Sequence, residues 1–430
     1  MGLTASRGRP LTGNAAIPGD KSCSHRALIL GAMARGETRI EGLGESDDVL
    51  ATTRAVEALG ATVRRVDDGT WMVAGAPWVT PESPIDCGNS GTTARLLAGA
   101  AAGMPGVILT LTGDASLSRR PMRRLADPLR RMGAKIEGGD TLPLRIVGDP
   151  LGGIDHRNVP ASAQVKSAIL LAALGTDAPV QVVEPVASRD HTEIMLGEFG
   201  ADIDIADTEA GRTVQLGPCR TLEGANVTIG ADPSSAAFAL VAAALVDGSE
   251  VTVERMLVNP SRTGLYEALE RMGADISLAN EQRVSGEILA DVTVRGGWLE
   301  PCHVPPEDVP SMIDEIPVLA MACAAADGES VIAGLGELRH KESDRLGALL
   351  AGLTACGVAA SVDGDTLHIF GRGQVRGGRV MTQGDHRIAM AFLTLGLASR
   401  NGIEVDGEEM IATSFPTYLD VMRGLGAKIA

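Results

Sequence analysis

"PLRRMGAKIEG", residues 128–138, has the form of a helix end. A charged, apolar-periodic run stops at Met132, Gly133 supplies a left-handed C-terminal residue, and "AKIE" starts a strand. The same arrangement recurs along the chain: "ALGATV" with Gly60, "EFGADI" with Gly200, "RMGADI" with Gly273, "ACGVAA" with Gly357 and "GLGAKI" with Gly426. The six glycines are 67 to 84 residues apart, so six units fill the 430 residues. Self-similarity at a long period describes the architecture before any single motif does.

A second mark accompanies the first. "ARGETRIEG" (34–42), "VDGSEVTVE" (246–254), "ADGESVIAG" (326–334) and "SRNGIEVDG" (399–407) each follow an Ala/Leu-rich helix and lead into a short β-branched strand. Each unit therefore holds two helices and several short strands. A plain solenoid scaffold is disfavoured, because the units are long and differ in their polar residues.

Those differences fall where the apolar helices start: "DKSCSHRALIL", "GNSGTTARLLAG", "SAQVKSAILLAAL", "DPSSAAFALVAAAL", "SMIDEIPVLAMACAAA" and "GDHRIAMAFLTL". All six open with residues that cap helix N-termini. Capping does not explain the cations Lys21, Arg26, Lys166 and Arg387. Helix starts carrying cations suit small anions.

Composition narrows the partners. The net charge of −17 repels polyanions, and 2% aromatics leaves few rings for stacking bases, so no nucleic-acid partner is expected. The six cysteines are scattered without a CxxC pair and read as reduced thiols. The N-terminus has no apolar signal core, and "GMPG" (103–106) breaks the uncharged run from 96 to 113. A cytoplasmic protein without a membrane span is expected. A P-loop is excluded, because Ala15 and Asp20 stand where GxxxxGK requires glycine.

Eight stretches together resemble the EPSP synthase (3-phosphoshikimate 1-carboxyvinyltransferase) family over essentially the whole length. They are "PGDKSCSHR" (18–26), "GNSGTTAR" (88–95), "GDASLSRRPM" (113–122), "SAQVKSA" (162–168), "DPSSAAF" (232–238), "ELRHKESDRL" (337–346), "GDHRIAMAF" (384–392) and "TSFP" (413–416). The resemblance implies a two-domain inside-out α/β barrel of six βαβαββ-type repeats with inward-facing helices. It implies one domain from 1–17 plus 231–430, a second from 18–230, and an active site in the cleft between them. The implied reaction moves the carboxyvinyl group of phosphoenolpyruvate to the 5-hydroxyl of shikimate 3-phosphate and releases phosphate. Neither metal nor cofactor is implied, and a monomer is expected.

By the same resemblance Lys21, Ser22, Arg26, Ser162, Ala163, Gln164, Ser188, Arg189, Asp314 and Lys341 bind shikimate 3-phosphate. Lys21, Gly91, Arg120, Gln164, Arg345 and Arg387 bind phosphoenolpyruvate. Asp314 takes the 5-hydroxyl proton, Glu342 is the candidate donor to the methylene carbon, and Lys21 assists. The spacing of Lys341 and Arg345 puts both on one face of a helix, and Glu315 is expected to point away from Asp314. Gly91, where some relatives carry Ala, implies sensitivity to glyphosate. Lys166 is expected only to support its helix start. Two positions depart from the family pattern: Thr413 stands where some relatives have Lys, and Glu337 where some have Asn, so neither contact is carried over.

Rival readings have weaker support. The sister enzyme acting on UDP-N-acetylglucosamine needs a Cys where Ala115 stands. A non-catalytic phosphate-ligand binder does not explain Asp314 and Glu342 beside Lys21. The RNA 3′-phosphate cyclase group needs tolerance of polyanions.

Overall fold

The structure, a computed structural model, describes residues 2–430. Twelve α-helices form among them: α1 (Lys21–Met33), α2 (Asp47–Ala58), α3 (Gly91–Ala102), α4 (Arg123–Arg131), α5 (Ala163–Ala173), α6 (His191–Glu198), α7 (Pro233–Leu245), α8 (Gly264–Arg271), α9 (Ile316–Ala325), α10 (Arg345–Ala355), α11 (His386–Gly396) and α12 (Tyr418–Leu425). Every even-numbered helix ends at one of the six repeat glycines. All six glycines adopt the left-handed conformation, with φ from 79° to 110°. That conformation is open to glycine at little steric cost and ends each helix before the next strand.

Six four-stranded sheets accompany the helices. In each sheet one edge pair is parallel and the next pairing is antiparallel, for example Asn226–Thr228 with Glu37–Glu41, then Glu37–Glu41 with Thr70–Ala74. Two of the parallel edge strands arrive from distant sequence: Thr12–Asn14 pairs with Glu250–Leu257, and Asn226–Thr228 with Glu37–Glu41. This is the mixed α/β repeat architecture expected from the glycines.

The chain divides into two compact units. One holds the residues through Pro18, Gly230–Arg283 and Ile288–Ala430. The other holds Gly19–Ile229 and Val284–Glu287. The last segment was expected with the first unit. It is the turn between strands Asp275–Val284 and Glu287–Arg295, and its contacts explain its grouping. Ser285 Oγ accepts the Thr228 N–H at 2.9 Å, and Glu287 Oε1 meets His191 Nδ1 at 2.6 Å.

Each unit is built around three helices that are apolar on all sides. Beyond the first turn nearly every residue of α3, α5, α7, α9 and α11 is buried. A helix without a polar stripe cannot lie on a surface. So α7, α9 and α11 pack against one another in the first unit, and α3 packs against α1 and α5 in the second. The sheets cover them. Only the starts of these helices remain polar, which leaves the chemistry there. Five of the six cysteines are buried and Cys219 is exposed; all are free thiols.

Candidate active site

In the second unit three capped helix starts gather side chains. Asp20 caps α1, accepting the Cys23 N–H at 2.7 Å. Ser90 caps α3 and Ser162 caps α5. Lys21, the first residue of α1, pairs with Asp48 on α2 at 2.9 Å. Arg26 lies one turn further along and is buried. Its guanidinium donates to Ser22 O, Thr192 Oγ1 and Ser167 Oγ, at 2.7 to 2.9 Å, tying α1 to α5 and α6.

At α3, Gly91 leaves room for two guanidinium groups. A Cβ there would lie 2.6 Å from Arg95 Nη1 and 3.4 Å from Arg120 Nη1. Arg120 donates to Asn89 Oδ1 at 2.6 Å, and Asn89 donates to Asp114 at 2.7 Å. Gln164, at the start of α5, accepts from Arg95 at 2.9 Å and donates to Thr92 Oγ1 at 3.0 Å. So Lys21, Gly91, Arg120, Ser162, Ala163 and Gln164 all stand at helix starts or on the loop beside them. Arg123 pairs with Asp127 in an exposed i,i+4 contact.

Ser188, expected as a phosphate contact, bonds to a carboxylate of the chain in this structure. Its N–H and its hydroxyl both donate to Glu184, at 3.1 and 2.6 Å, which leaves it no donor for a phosphate. Arg189 follows it directly and is half-buried.

In the first unit a denser cluster forms. Asp314 Oδ1 receives Lys341 Nζ at 3.2 Å and Arg345 Nη1 at 3.5 Å, and the Asp314 carbonyl accepts from Arg387 at 3.0 Å. Arg345 also donates to Asp385 at 2.8 Å and to Glu342. Burial pulls the Arg345 pKa down, but Asp385, Glu342 and Asp314 outweigh it and the net shift is upward. The converse holds at Asp385. Burial would raise its pKa, yet Arg345 holds it below the usual carboxylate range.

Two local expectations fail here. Lys341 and Arg345 do not share a helix. A 3₁₀ turn, Gly336–His340, ends before Lys341, and α10 begins only at Arg345, where Asp344 accepts the Gly347 N–H at 3.1 Å. Both side chains still reach the same Asp314 oxygen, from the loop and from the helix start. The fifth apolar helix starts at Ile316 rather than Ser311, because Val309–Ser311 forms a separate 3₁₀ turn and Pro317 suits the first turn of α9. Glu315 does point elsewhere: its carboxylate is buried and takes the Ser234 hydroxyl.

Asp48, Asn89, Arg95 and Asp385 were not singled out from sequence. Asp385 had a visible signal: "GDHR" repeats the "GDKS" start of α1, and in both the Asp caps the helix. Asp48 carried none, being one of two acids at an ordinary helix start. Among the departures, Thr413 Oγ1 lies 3.4 Å from His386 Nδ1, while Glu337 is exposed. Asp20, Cys23 and His191 form one buried group of metal-ligand type, with donor atoms within 4.8 Å of one another. Asp20 is used there as a helix cap, and His191 is held by Glu287.

The comparisons agree with one another. The family model for EPSP synthase (3-phosphoshikimate 1-carboxyvinyltransferase) matches residues 5–422. The 3-phosphoshikimate 1-carboxyvinyltransferase of Phenylobacterium zucineum is 51% identical over 99% of this chain and 95% of its own. That of Caulobacter vibrioides is 50% identical over 100% and 99%. Among solved structures, an EPSP synthase from Acinetobacter baumannii superposes with a TM-score of 0.88 at 40% identity, covering 100% of this chain and 99% of that one. The enolpyruvyl transferase NikO from Streptomyces tendae shares the fold, with a TM-score of 0.80 at 20% identity, over 100% and 98%.

Proposed function

Because the chain belongs to the EPSP synthase (3-phosphoshikimate 1-carboxyvinyltransferase) family, we propose that the polar clusters of its two units act on one pair of substrates. The enzyme transfers the carboxyvinyl group of phosphoenolpyruvate to the 5-hydroxyl of shikimate 3-phosphate and releases phosphate, a step of the shikimate pathway. The reading of the residues rests on one observation above the others: Asp314 Oδ1 receives both Lys341 and Arg345, with Glu342 on the same guanidinium. A proton acceptor, a proton donor and three cations, counting Arg387, thus lie within one set of contacts.

In this reading Lys21, Ser22, Arg26, Ser162, Ala163, Gln164, Arg189 and Lys341 hold shikimate 3-phosphate. Lys21, Gly91, Arg120, Gln164, Arg345 and Arg387 hold phosphoenolpyruvate. Glu342 gives a proton to the methylene carbon, which makes the neighbouring carbon electrophilic. The 5-hydroxyl oxygen attacks that carbon as Asp314 takes its proton, and a tetrahedral adduct forms. A methyl proton then returns to Glu342, the C–O bond to phosphate breaks, and the vinyl ether remains. The cations act where negative charge grows on the departing phosphate, and fixed charges of this kind cost no reorganisation during the step.

Three finer points belong to the same proposal. The glycine at 91 makes the enzyme sensitive to glyphosate; undiminished turnover in glyphosate far above the phosphoenolpyruvate concentration refutes this. The protein works as a monomer, which light scattering of the purified chain tests. No helix of the described residues is long and apolar enough to cross a membrane, and the proposed location is the cytoplasm, which fractionation of cells tests.

The test of the reaction is phosphate release from purified protein with both substrates, a chelator and no added cofactor. Release that requires both substrates is expected. Release from phosphoenolpyruvate alone, or none at all, refutes the reading.

A further inference from the structure

Every polar group of Ser188 is used inside the protein. Its N–H and hydroxyl donate to the two Glu184 oxygens, and its carbonyl faces Lys166 Nζ at 3.5 Å. Glu184 has no solvent exposure and collects four hydrogen bonds: two from Ser188, one from Lys166 at 2.7 Å and one from Asn158 at 2.7 Å. The second hydrogen of that Asn158 amide goes to the Ser162 carbonyl at 3.1 Å. One buried carboxylate thus ties together the start of α5 and the turn that precedes α6.

Lys166 neutralises it from the first turn of α5. It also lies 2.6 Å from Glu193 on α6, with no exposure on either side. Burial disfavours the charged lysine, but Glu193 and Glu184 outweigh it, and its pKa is raised. A buried ion pair adds little net stability unless its remaining lone pairs are satisfied. Those of Glu184 are satisfied, by the two segments that carry Ser162 and Arg189. Nothing in the fold requires a charge here, since the other two central helices of this unit have apolar or hydroxyl residues at the matching depth.

We propose that the Lys166–Glu184 pair is the positioning element of the shikimate 3-phosphate subsite, and that Ser188 serves it by orienting Arg189 rather than by touching the substrate. This rests on the assignment of Ser162, Gln164 and Arg189 to that substrate made under Proposed function. Lys166, Glu184 and Asn158 are positioning residues, acting through the helix start and the turn.

The test is a cycle of variants in the full chain, read by steady-state kinetics with each substrate varied. Glu184→Gln keeps the shape but turns one acceptor into a donor. The KM for shikimate 3-phosphate is expected to rise about tenfold or more, with the KM for phosphoenolpyruvate within about twofold. Ser188→Ala is expected to weaken shikimate 3-phosphate binding only while Glu184 is intact, and to add nothing in the Glu184→Gln background. An equal loss in both backgrounds means that Ser188 touches the substrate, and overturns the proposal. A lower melting temperature with both KM values unchanged means that the network is merely structural, and also overturns it. Should Glu184→Gln fail to fold, Asn158→Ala removes one of the four bonds to Glu184 together with the link to Ser162 and leaves Lys166 and Ser188 in place; the same split between the two KM values is expected, at about threefold, and its absence is decisive. A wild-type enzyme that releases no phosphate from the two substrates refutes the underlying assignment instead, so the two failures are distinguishable.

Discussion

Gly91→Ala tests the proposed phosphoenolpyruvate subsite with a single added methyl group. The new Cβ would lie 2.6 Å from Arg95 Nη1, closer than real Cβ contacts come, and 3.4 Å from Arg120 Nη1. The nearer atom is the end of a flexible side chain, so Arg95 moves and the backbone does not. In moving it gives up the 2.9 Å bond to Gln164 Oε1, and Gln164 loses one of the two partners that orient its amide, keeping Thr92. A hydrogen bond to a charged, half-buried group is worth about 1–2 kcal/mol net, or about 5- to 30-fold in an equilibrium constant. The KM for phosphoenolpyruvate should rise about tenfold, with kcat within about threefold. Stability should fall by no more than about 1.5 kcal/mol, because the helix gains part of what the lost bond costs. Gly91 starts a helix, its φ is not in the left-handed region, and Ala is favoured over Gly in a helix by about 0.5–1 kcal/mol. The assay is steady-state phosphate release at saturating shikimate 3-phosphate, beside a thermal melt. An unchanged KM refutes the reasoning. So does an equal rise when Gly91→Ala is made on Arg95→Ala, because the clashing group is then gone.

Three further outcomes follow from the same contacts. Lys21→Met should lower kcat/KM by about a hundredfold or more, since it removes the cation proposed to meet the departing phosphate; a loss under about fivefold in the release assay would exclude Lys21 from the chemistry. Asp314→Asn keeps an acceptor for Lys341 and Arg345 but cannot take a proton; kcat should fall about 10²–10³-fold with little change in calorimetric binding of shikimate 3-phosphate, and a fall in affinity alone would make Asp314 a binding residue only. His25 is buried, and burial puts its pKa well below 6.5. Below about pH 6.5 the unfolded chain therefore binds a proton that the folded chain refuses, and stability drops by up to about 1.4 kcal/mol per pH unit as pH falls. His25→Asn removes that slope, so its melting temperature should fall less between pH 7.5 and 5.5 than that of wild type; equal falls would show that another group controls the acid sensitivity.

Local signals in the sequence carried the repeat but not the wiring. A glycine after an apolar run forces one backbone conformation, so Gly60, Gly133, Gly200, Gly273, Gly357 and Gly426 could be read without tertiary context, and all six are left-handed. N-caps are nearly as local, and Asp20, Ser90, Ser162, Asp232 and Asp385 accept helix N–H bonds. Where two local signals compete, spacing misleads. Ser311 is a good cap, but Pro317 fits the first turn better, and the helix waits for it. Lys341 and Arg345 have i,i+4 spacing, yet Asp344 between them caps a helix and so ends the chain's approach to it. Long-range partners left no trace at all. Lys166 meets Glu184 and Glu193, 18 residues and more away in sequence, only because α5, α6 and a strand pack together.

That wiring also bears on how a chain of net charge −17 can hold the proposed anion subsites. Lys21, Lys341 and Arg345 are met by the chain's own carboxylates, and the exposure of the pair separates two kinds. Arg345 is 1% exposed, and its three nitrogens go to Asp385, Asp314 and Glu342. It is fixed, so it acts as a preset field on the residues it orients. Lys21 and Lys341 are 21% and 26% exposed, each with a single Asp partner, on flexible stems. They can turn from Asp48 or Asp314 toward a ligand. Such a turn replaces one carboxylate with another anion, which gains little for a singly charged ligand in water. It gains when the incoming group carries two charges and more than one cation can reach it. On the proposed reading the carboxylates set a threshold that favours a phosphate dianion over a singly charged anion. An acidic protein can keep such a site selective where a basic one would fill it with any anion present.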